Sequence, residues 1–238
     1  MKTKRFFLFF LLLISTLNVI LFSCQKEDEV QAASKVVDVP GAEGIYLHLE
    51  YTMGVGGFLY PEYRPYLLFK DGSIYQNLDT SIDKLDVAKS KQQEPKEWGT
   101  WEKKGNEFSI TWSDGDTETW GEDEWFTTQA ATAGEKIKGS YESISGGGNV
   151  AFGGDVMIFS ATTISFDGDK FTYESTGGGS TSNLTAYSSQ DKAGTYELKG
   201  NSIILKFNNG AVEKKFFYFY PDGKDVFGIG TRYYVPND

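Results

Sequence analysis

Few side chains in this 238-residue chain are equipped for covalent or acid–base chemistry. Cys24 is the only cysteine and His48 the only histidine. One cysteine excludes an intrachain disulfide, and one of each excludes metal sites built from several histidines or cysteines. A histidine-based triad would have to use His48. In Tyr46-Leu47-His48-Leu49-Glu50-Tyr51 it alternates with leucines. On a strand it therefore points away from them, toward solvent or an interface, and no catalytic residue is assigned. Carboxylates are the abundant reactive type. Asp114, Asp116, Glu118, Glu122, Asp123 and Glu124 crowd one stretch. A hard cation such as calcium takes oxygen ligands from flexible loops. The Asp-x-Asp-x-Asp-Gly spacing with a distal Glu is lacking, so no metal is expected. The cluster reads as a solvated hairpin edge, where charge discourages edge-to-edge pairing. Glycoside hydrolysis needs two carboxyls about 5–9 Å apart across a sugar ring. With 33 acidic residues some pair is inevitable, so none is singled out. Phosphate cradling by a glycine run requires a following helix. Gly54-Val55-Gly56-Gly57, Gly146-Gly147-Gly148 and Gly177-Gly178-Gly179 lack one and read as loops or bulges. No cofactor is expected.

Noncovalent recognition has better material. The five tryptophans are Trp98, Trp101, Trp112, Trp120 and Trp125. If exposed, Trp98 and Trp120 form a stacking or apolar contact surface for a ligand or protein. If buried, they enlarge a core or an internal interface. Tyr60, Tyr63 and Tyr66, in Leu59-Tyr60-Pro61-Glu62-Tyr63-Arg64-Pro65-Tyr66, are a second candidate binding surface. The prolines fix the shape of that segment.

Cys24 has another use. Residues 1–23 begin Met1-Lys2-Thr3-Lys4-Arg5 and continue as an apolar run broken only by Ser15, Thr16 and Asn18, ending in Leu21-Phe22-Ser23. A basic start, an apolar stretch and a small residue form a signal peptide. Followed by Cys24, it resembles the lipobox of bacterial lipoproteins. The resemblance implies cleavage before Cys24, diacylglycerol on its sulfur and a membrane held through that anchor. Stable anchoring takes more than one acyl chain. Gln25-Lys26-Glu27-Asp28-Glu29 is similar to the acidic export signal of lipoproteins in the Bacteroides-type phylum, implying the outer membrane and its cell-surface face. Residues 24–40 read as a flexible acidic tether, too polar to bury much surface. Removal of the leader takes three of 23 basic residues and none of the 33 acids, leaving a net charge of -13 over 215 residues. That balance argues against nucleic acid, whose phosphates need neutralising cations.

The elements that position these residues are read from an internal repeat. Gly44-Ile45-Tyr46 returns as Gly139-Ser140-Tyr141. Phe69-Lys70-Asp71-Gly72 returns as Phe166-Asp167-Gly168. Trp98-Gly99-Thr100-Trp101 through Gly105-Asn106 returns as Ala193-Gly194-Thr195-Tyr196 through Gly200-Asn201, and Phe108–Gly115 matches Ile203–Gly210. Same-order matches at a near-constant offset define two homologous units, 41–134 and 135–238. Trp101, Trp112 and Trp125 then match Tyr196, Phe207 and Tyr220, as shared core aromatics. Trp98 and Trp120 match Ala193 and Lys215.

Each unit reads as antiparallel β. Asp71-Gly72, Asp114-Gly115, Asp167-Gly168, Asn209-Gly210 and Asp222-Gly223 lie beside apolar residues, the strongest short-range hairpin signal. Hairpins are expected at 107–112 with 117–120 and at 202–207 with 212–220, with a last strand over 226–235. Residues 81–95 form one short helix or a loop, and 174–190 a long mobile loop. The stretches 53–57 and 148–160 do not read as regular strand, which leaves barrel closure open. The ordered pattern Gly-x-Tyr, Phe before Asp-Gly, and Gly-Thr-Trp/Tyr-x-x-x-Gly-Asn resembles the tandem lipocalin-like surface lipoprotein domains of the Bacteroides-type phylum. It implies two small β-barrels or sandwiches, and the many Phe and Tyr favour a filled interior. The leading expectation is a noncatalytic envelope lipoprotein that binds a glycan, a small apolar ligand or a protein partner. A structural or assembly component of an outer-membrane complex is the alternative, and a carboxylate-based hydrolase the third.

Overall fold

The structure is a computed structural model that describes residues 38–54, 59–149 and 153–237. The leader and Cys24 lie outside the described residues, as do Val55, Gly56 and Gly57 of the first glycine-rich stretch. The described chain is all-β. Its first unit comprises β1 (Ala42–Met53), β2 (Leu59–Phe69), β3 (Ser73–Tyr75), β4 (Trp98–Lys104), β5 (Glu107–Trp112), β6 (Thr117–Trp120) and β7 (Trp125–Thr127). These form one antiparallel sheet in the order β6-β5-β4-β3-β2-β1-β7. Between β3 and β4 lies the helix α1 (Val87–Gln93), flanked by 3-10 turns at Ile82–Lys84 and Pro95–Glu97. The Asp86 side chain caps α1 by accepting from the Lys89 N–H at 3.1 Å.

The second unit repeats the meander with one strand more. It comprises β8 (Gly139–Gly148), β9 (Met157–Asp167), β10 (Lys170–Thr181), β11 (Leu184–Lys199), β12 (Ser202–Phe207), β13 (Val212–Phe219), β14 (Phe227–Ile229) and β15 (Arg232–Pro236). They close into an eight-stranded antiparallel barrel. The duplication is visible in the pairing. Tyr46 and Tyr141 sit on β1 and β8, whose outer neighbours are β7 and β15: Tyr46 faces Thr127, and Tyr141 faces Pro236. The barrel's β14 is inserted between β13 and β15, whereas in the first sheet β6 leads directly to β7. All five Asp-Gly and Asn-Gly glycines have positive φ, which is why glycine stands at those turns.

Three expectations are corrected. The span 174–190 is not a loop; it is the paired tip of β10 and β11, in register from Lys170 opposite Thr195 to Thr181 opposite Leu184. Its Ser, Thr and Gly residues hide the strand because neither face of the tip carries an apolar alternation. Gly146–Gly148 and Gly177–Gly179 likewise lie within strands. The expected strand over 226–235 is two strands, turning at Gly230, whose φ is 64°.

The barrel is filled at one end and small-lined at the other. Residues facing one another across β8, β9, β10 and β11 form rows. The row Tyr141–Ile164–Tyr173 is bulky and belongs to a core with Phe166, Phe171, Tyr196, Phe217, Phe219, Phe227 and Tyr234. The next row on the same face is Ser143–Thr162–Ser175–Gln190, and the next Ser145–Ser160–Gly177–Ser188. A second core, including Ile45, Leu47, Leu67, Phe69, Tyr75, Leu78 and Trp98, also contains Phe216 and Tyr218 of β13. The two units therefore share buried apolar surface and lie within one compact unit.

Candidate ligand-binding cleft

Where the barrel's small-lined end meets the first sheet there is a half-open cleft of about 650 Å³. The first unit contributes Glu62, Arg64, Pro65 and Tyr66 from β2, with Gln76, Asn77, Asp79 and Glu97 from the chain around α1. The second contributes Ser143, Ile144 and Ser145 from β8, Thr231 from the turn before β15, and Arg232 and Tyr233 from its start. Ligand pockets span about 300–1,000 Å³ and are mostly apolar. This cleft has the size and lacks the apolarity, so its lining suits a hydroxyl-rich or charged ligand.

On β2 the cleft wall is tied into a charged cluster that replaces the barrel's hydroxyl rows. His48 pairs with Arg64 and Glu50 with Glu62 across β1 and β2. Glu50 accepts a hydrogen bond from the Tyr66 hydroxyl and lies 3.2 Å from Arg64 Nε. Burial pushes its carboxyl upward, but His48, Tyr66 and Arg64 together hold it below the ordinary value. Burial, with the Glu50 charge beside it, drives the Tyr66 hydroxyl far above the usual phenol range. Glu62 accepts from Thr52 Oγ1 at 2.8 Å and lies 3.8 Å from Arg64. Arg64 is thus already neutralised.

Asp79 is also occupied. Its two carboxylate oxygens accept from the Thr231 N–H at 3.0 Å and the Thr231 hydroxyl at 2.8 Å, pinning the turn before β15 to the first unit. Gly230 fits that junction because a Cβ there would lie 2.4 Å from Asp79 Oδ1. Arg232 is different. It lies two residues from Tyr234, on the lumen side of β15, and its Nη1 donates to Ser160 Oγ and Thr162 Oγ1, each at 3.3 Å. It has no carboxylate partner among the described residues.

Of the sequence-predicted binding residues, Tyr66 lines the cleft but is 4% exposed, and the others fall elsewhere. Trp98 and Trp120 are 4% and 0% exposed, so neither offers a face to solvent, and the expected stacking surface is not formed by them. Trp98 Nε1 donates to Ser90 Oγ at 2.8 Å, and its ring packs on Tyr75 at 4.6 Å, which seats α1 on the sheet. Its counterpart Ala193 has no such segment to hold, because β10 and β11 are joined by a tight turn. Trp120 lies parallel to His48 at 4.4 Å and against Tyr66 at 4.9 Å, filling the concave side of the first sheet. His48 is accordingly buried and not solvent-facing: both faces of β1 are covered, Leu47 by the shared core and His48 by Trp120. Its Nδ1 is 3.8 Å from Glu50, within ion-pair range but beyond hydrogen-bond length, and makes no hydrogen bond. Trp101, Trp112 and Trp125, expected as core, pack half-buried around that concave side.

Tyr63 and Tyr60 are half-buried and do not wall the cleft. Tyr63 meets Phe126 edge-on at 5.4 Å and Tyr220 at 6.2 Å, joining the units. Tyr60 lies close enough to Glu62 and Tyr233 that burial and those charges raise its hydroxyl. Sequence reasoning missed Arg64, Arg232, Tyr233 and Ser145. A signal was present: of Arg5, Arg64 and Arg232, the chain's arginines, the two beyond the leader both line the cleft.

The acidic stretch after β5 is spent locally. Glu118 accepts from Trp112 Nε1 at 2.6 Å and Glu124 from the Gly121 N–H at 2.7 Å. Among the described residues no three His, Cys, Asp or Glu side chains are placed to hold a metal. A comparison with protein families, curated proteins and solved structures finds no match to this chain. What stands is a fold type, two tandem antiparallel β-units of lipocalin-like kind.

Proposed function

We propose that this chain is a noncatalytic envelope lipoprotein, anchored through Cys24 at the cell-surface side of the outer membrane, and that it binds a glycan-type ligand in the cleft between its units. The observation that carries this reading is the contrast within the second barrel. Aromatic side chains occupy the closed end, leaving an apolar ligand no room there, whereas the open end and the facing β2 wall present hydroxyls, amides and charges. Saccharides are recognised by such planar polar groups with a nearby aromatic ring, here the half-buried Tyr233. The leader's resemblance to a lipobox and the acidic residues after Cys24 support the placement.

The test is a calorimetric or array screen of the purified protein against bacterial and host oligosaccharides, repeated with Ser145→Trp. Ser145 is exposed on the cleft wall, so the indole fills the cleft and abolishes binding while the thermal melt stays unchanged. Binding that survives Ser145→Trp moves the site elsewhere. Intact-mass measurement of the native protein tests the anchor, which predicts an acylated N-terminal cysteine.

One observation favours the assembly role as a second reading. On the barrel's convex side Phe159 and Tyr187 pack edge-on at 6.0 Å above Gly178, close to exposed Ile144 and Met157. A photo-crosslinker at Tyr187 that captures one envelope protein in intact membranes supports it, and capture of none removes it.

A further inference from the structure

Within this cleft, we propose that Arg232 reads a carboxylate on the ligand, so that the glycan is an acidic saccharide carrying a single carboxylate at the barrel end. The inference rests on the cleft reading and adds the ligand's charge and orientation to it.

Arg232 is a half-buried guanidinium without a counter-ion in a chain of net charge -10. Its neighbours on the lumen side are neutral. Ser160 and Thr162 accept from Nη1 at 3.3 Å each, and Ser143 lies opposite Thr162 in the next strand. A guanidinium carries five N–H groups in a fixed plane. Those of Nη2 and Nε have no acceptor among the described residues. That edge is the geometry which takes a carboxylate by two parallel hydrogen bonds. Taking a cation out of water without a partner is costly, and a ligand carboxylate supplies the partner. The two hydroxyls hold the fork from behind without competing for its charge.

The rest of the cleft sets an upper limit on ligand charge. Glu62, Asp79 and Glu97 line it and Arg64 is already committed to Glu50 and Glu62. A second carboxylate on the ligand would face these groups with no free cation. Neutral hydroxyls suit them, since carboxylates accept hydrogen bonds from sugar hydroxyls. The recognised unit is therefore a terminal acidic sugar at Arg232, followed by neutral sugar toward Glu62 and Glu97.

The experiment compares three disaccharides on the purified protein by titration calorimetry at low salt: one with a terminal glucuronate on a neutral sugar, its carboxyl-reduced neutral counterpart, and a disaccharide of two uronates. The mono-acid binds about tenfold or more tightly than its reduced counterpart, in line with charge-assisted hydrogen bonds, and more tightly than the di-acid. Arg232→Gln abolishes that preference, so that the mono-acid and the reduced sugar bind alike, while an unchanged thermal melt reports that the variant is folded. Arg232→Lys keeps part of the preference, as a charge without the fork. Equal binding of the mono-acid and reduced sugars by the natural protein overturns the inference and leaves a neutral-glycan cleft. The same holds if the di-acid binds best. No binding of any of the three overturns the inference and the cleft reading together.

Discussion

Glu50 is the hinge of the charged cluster, since it takes a hydrogen bond from Tyr66 and an ion pair from Arg64 on a sheet face that Trp120 shields. Replacing it by glutamine removes the charge and leaves Arg64 to Glu62 alone. Glu50→Gln is expected to cost about 1.5–3 kcal/mol in urea unfolding at pH 7, the range for hydrogen bonds to charged groups. The folded carboxyl sits below its ordinary value of 4.5, so the unfolded chain binds more protons there in acid. The stabilisation is complete above about pH 4.5 and drains away as the pH falls through the lower, folded value. Unfolding free energies of the natural protein and Glu50→Gln should therefore converge in acid. A gap that stays constant from pH 7 to pH 3 would show that Glu50 acts by shape and not by charge. The same cluster explains why His48 is buried where its strand position suggests exposure. Its strand parity is right, opposite to Leu47, but the side it faces is roofed by an indole supplied from β6, some 70 residues further along.

At the next scale, the segment carrying α1 depends on one latch. Trp98 donates to Ser90, Ser90 donates to Glu94 at 2.6 Å, and Tyr75 donates to the same carboxylate oxygen at 3.0 Å. Burial, with Glu94 alongside, pushes the Tyr75 hydroxyl up to about 12, so it remains a donor throughout the physiological range. A seven-residue helix is too short to persist alone. Trp98→Ala, the residue at the matching place in the second unit, should cost about 3–5 kcal/mol. It should also raise amide exchange across 82–97 before the barrel amides respond; uniform acceleration everywhere would mean the latch is not local. On β10, Gly178 sits beneath Phe159 and Tyr187, and a Cβ there would meet them at 2.9 and 3.0 Å. Gly178→Val should loosen that projecting tip, read as faster exchange over 176–189 with the core melt little changed. Turn chemistry was the legible layer of this fold. The Asp-Gly and Asn-Gly pairs located the hairpins, and β5, β6 and β12 fall at the expected residues, because glycine at positive φ and period-2 patterning are local signals. Closure was not legible. It depends on β14, three residues long, and on the short pairing of β15 with β8, neither of which has a local signature. The cleft was still less legible, since residues 62–79, 97, 143–145 and 231–233 converge only after both meanders have formed. The aromatics that drew attention in the sequence are the groups the fold has most reason to bury.

Across the whole molecule the two units are one stability problem. Phe216 and Tyr218 of β13 sit in the core of the first sheet's outer face, and the bridges Gln129 to Phe219 and Ala131 to Gly200 join the connecting segment to the barrel. Lys215 Nζ donates to the Asp79 carbonyl at 2.9 Å and Ser81 Oγ to the Lys214 carbonyl at 2.8 Å. Neither half can cover this surface by itself, so unfolding should be a single cooperative step despite the duplicated plan. The tryptophan distribution offers a clean test, because all five indoles belong to the first unit and none lies in the barrel core. Phe171 is 2% exposed in the barrel core and belongs to no cluster shared with the first sheet. Phe171→Ala should cost about 3–5 kcal/mol. If the units are coupled, the urea midpoint of tryptophan fluorescence falls with that of far-ultraviolet circular dichroism, although no indole touches the substituted site. If the tryptophan midpoint stays put while the dichroism curve splits into two steps, the shared core is too weak to couple them, and the cleft between the units would then open without unfolding either one.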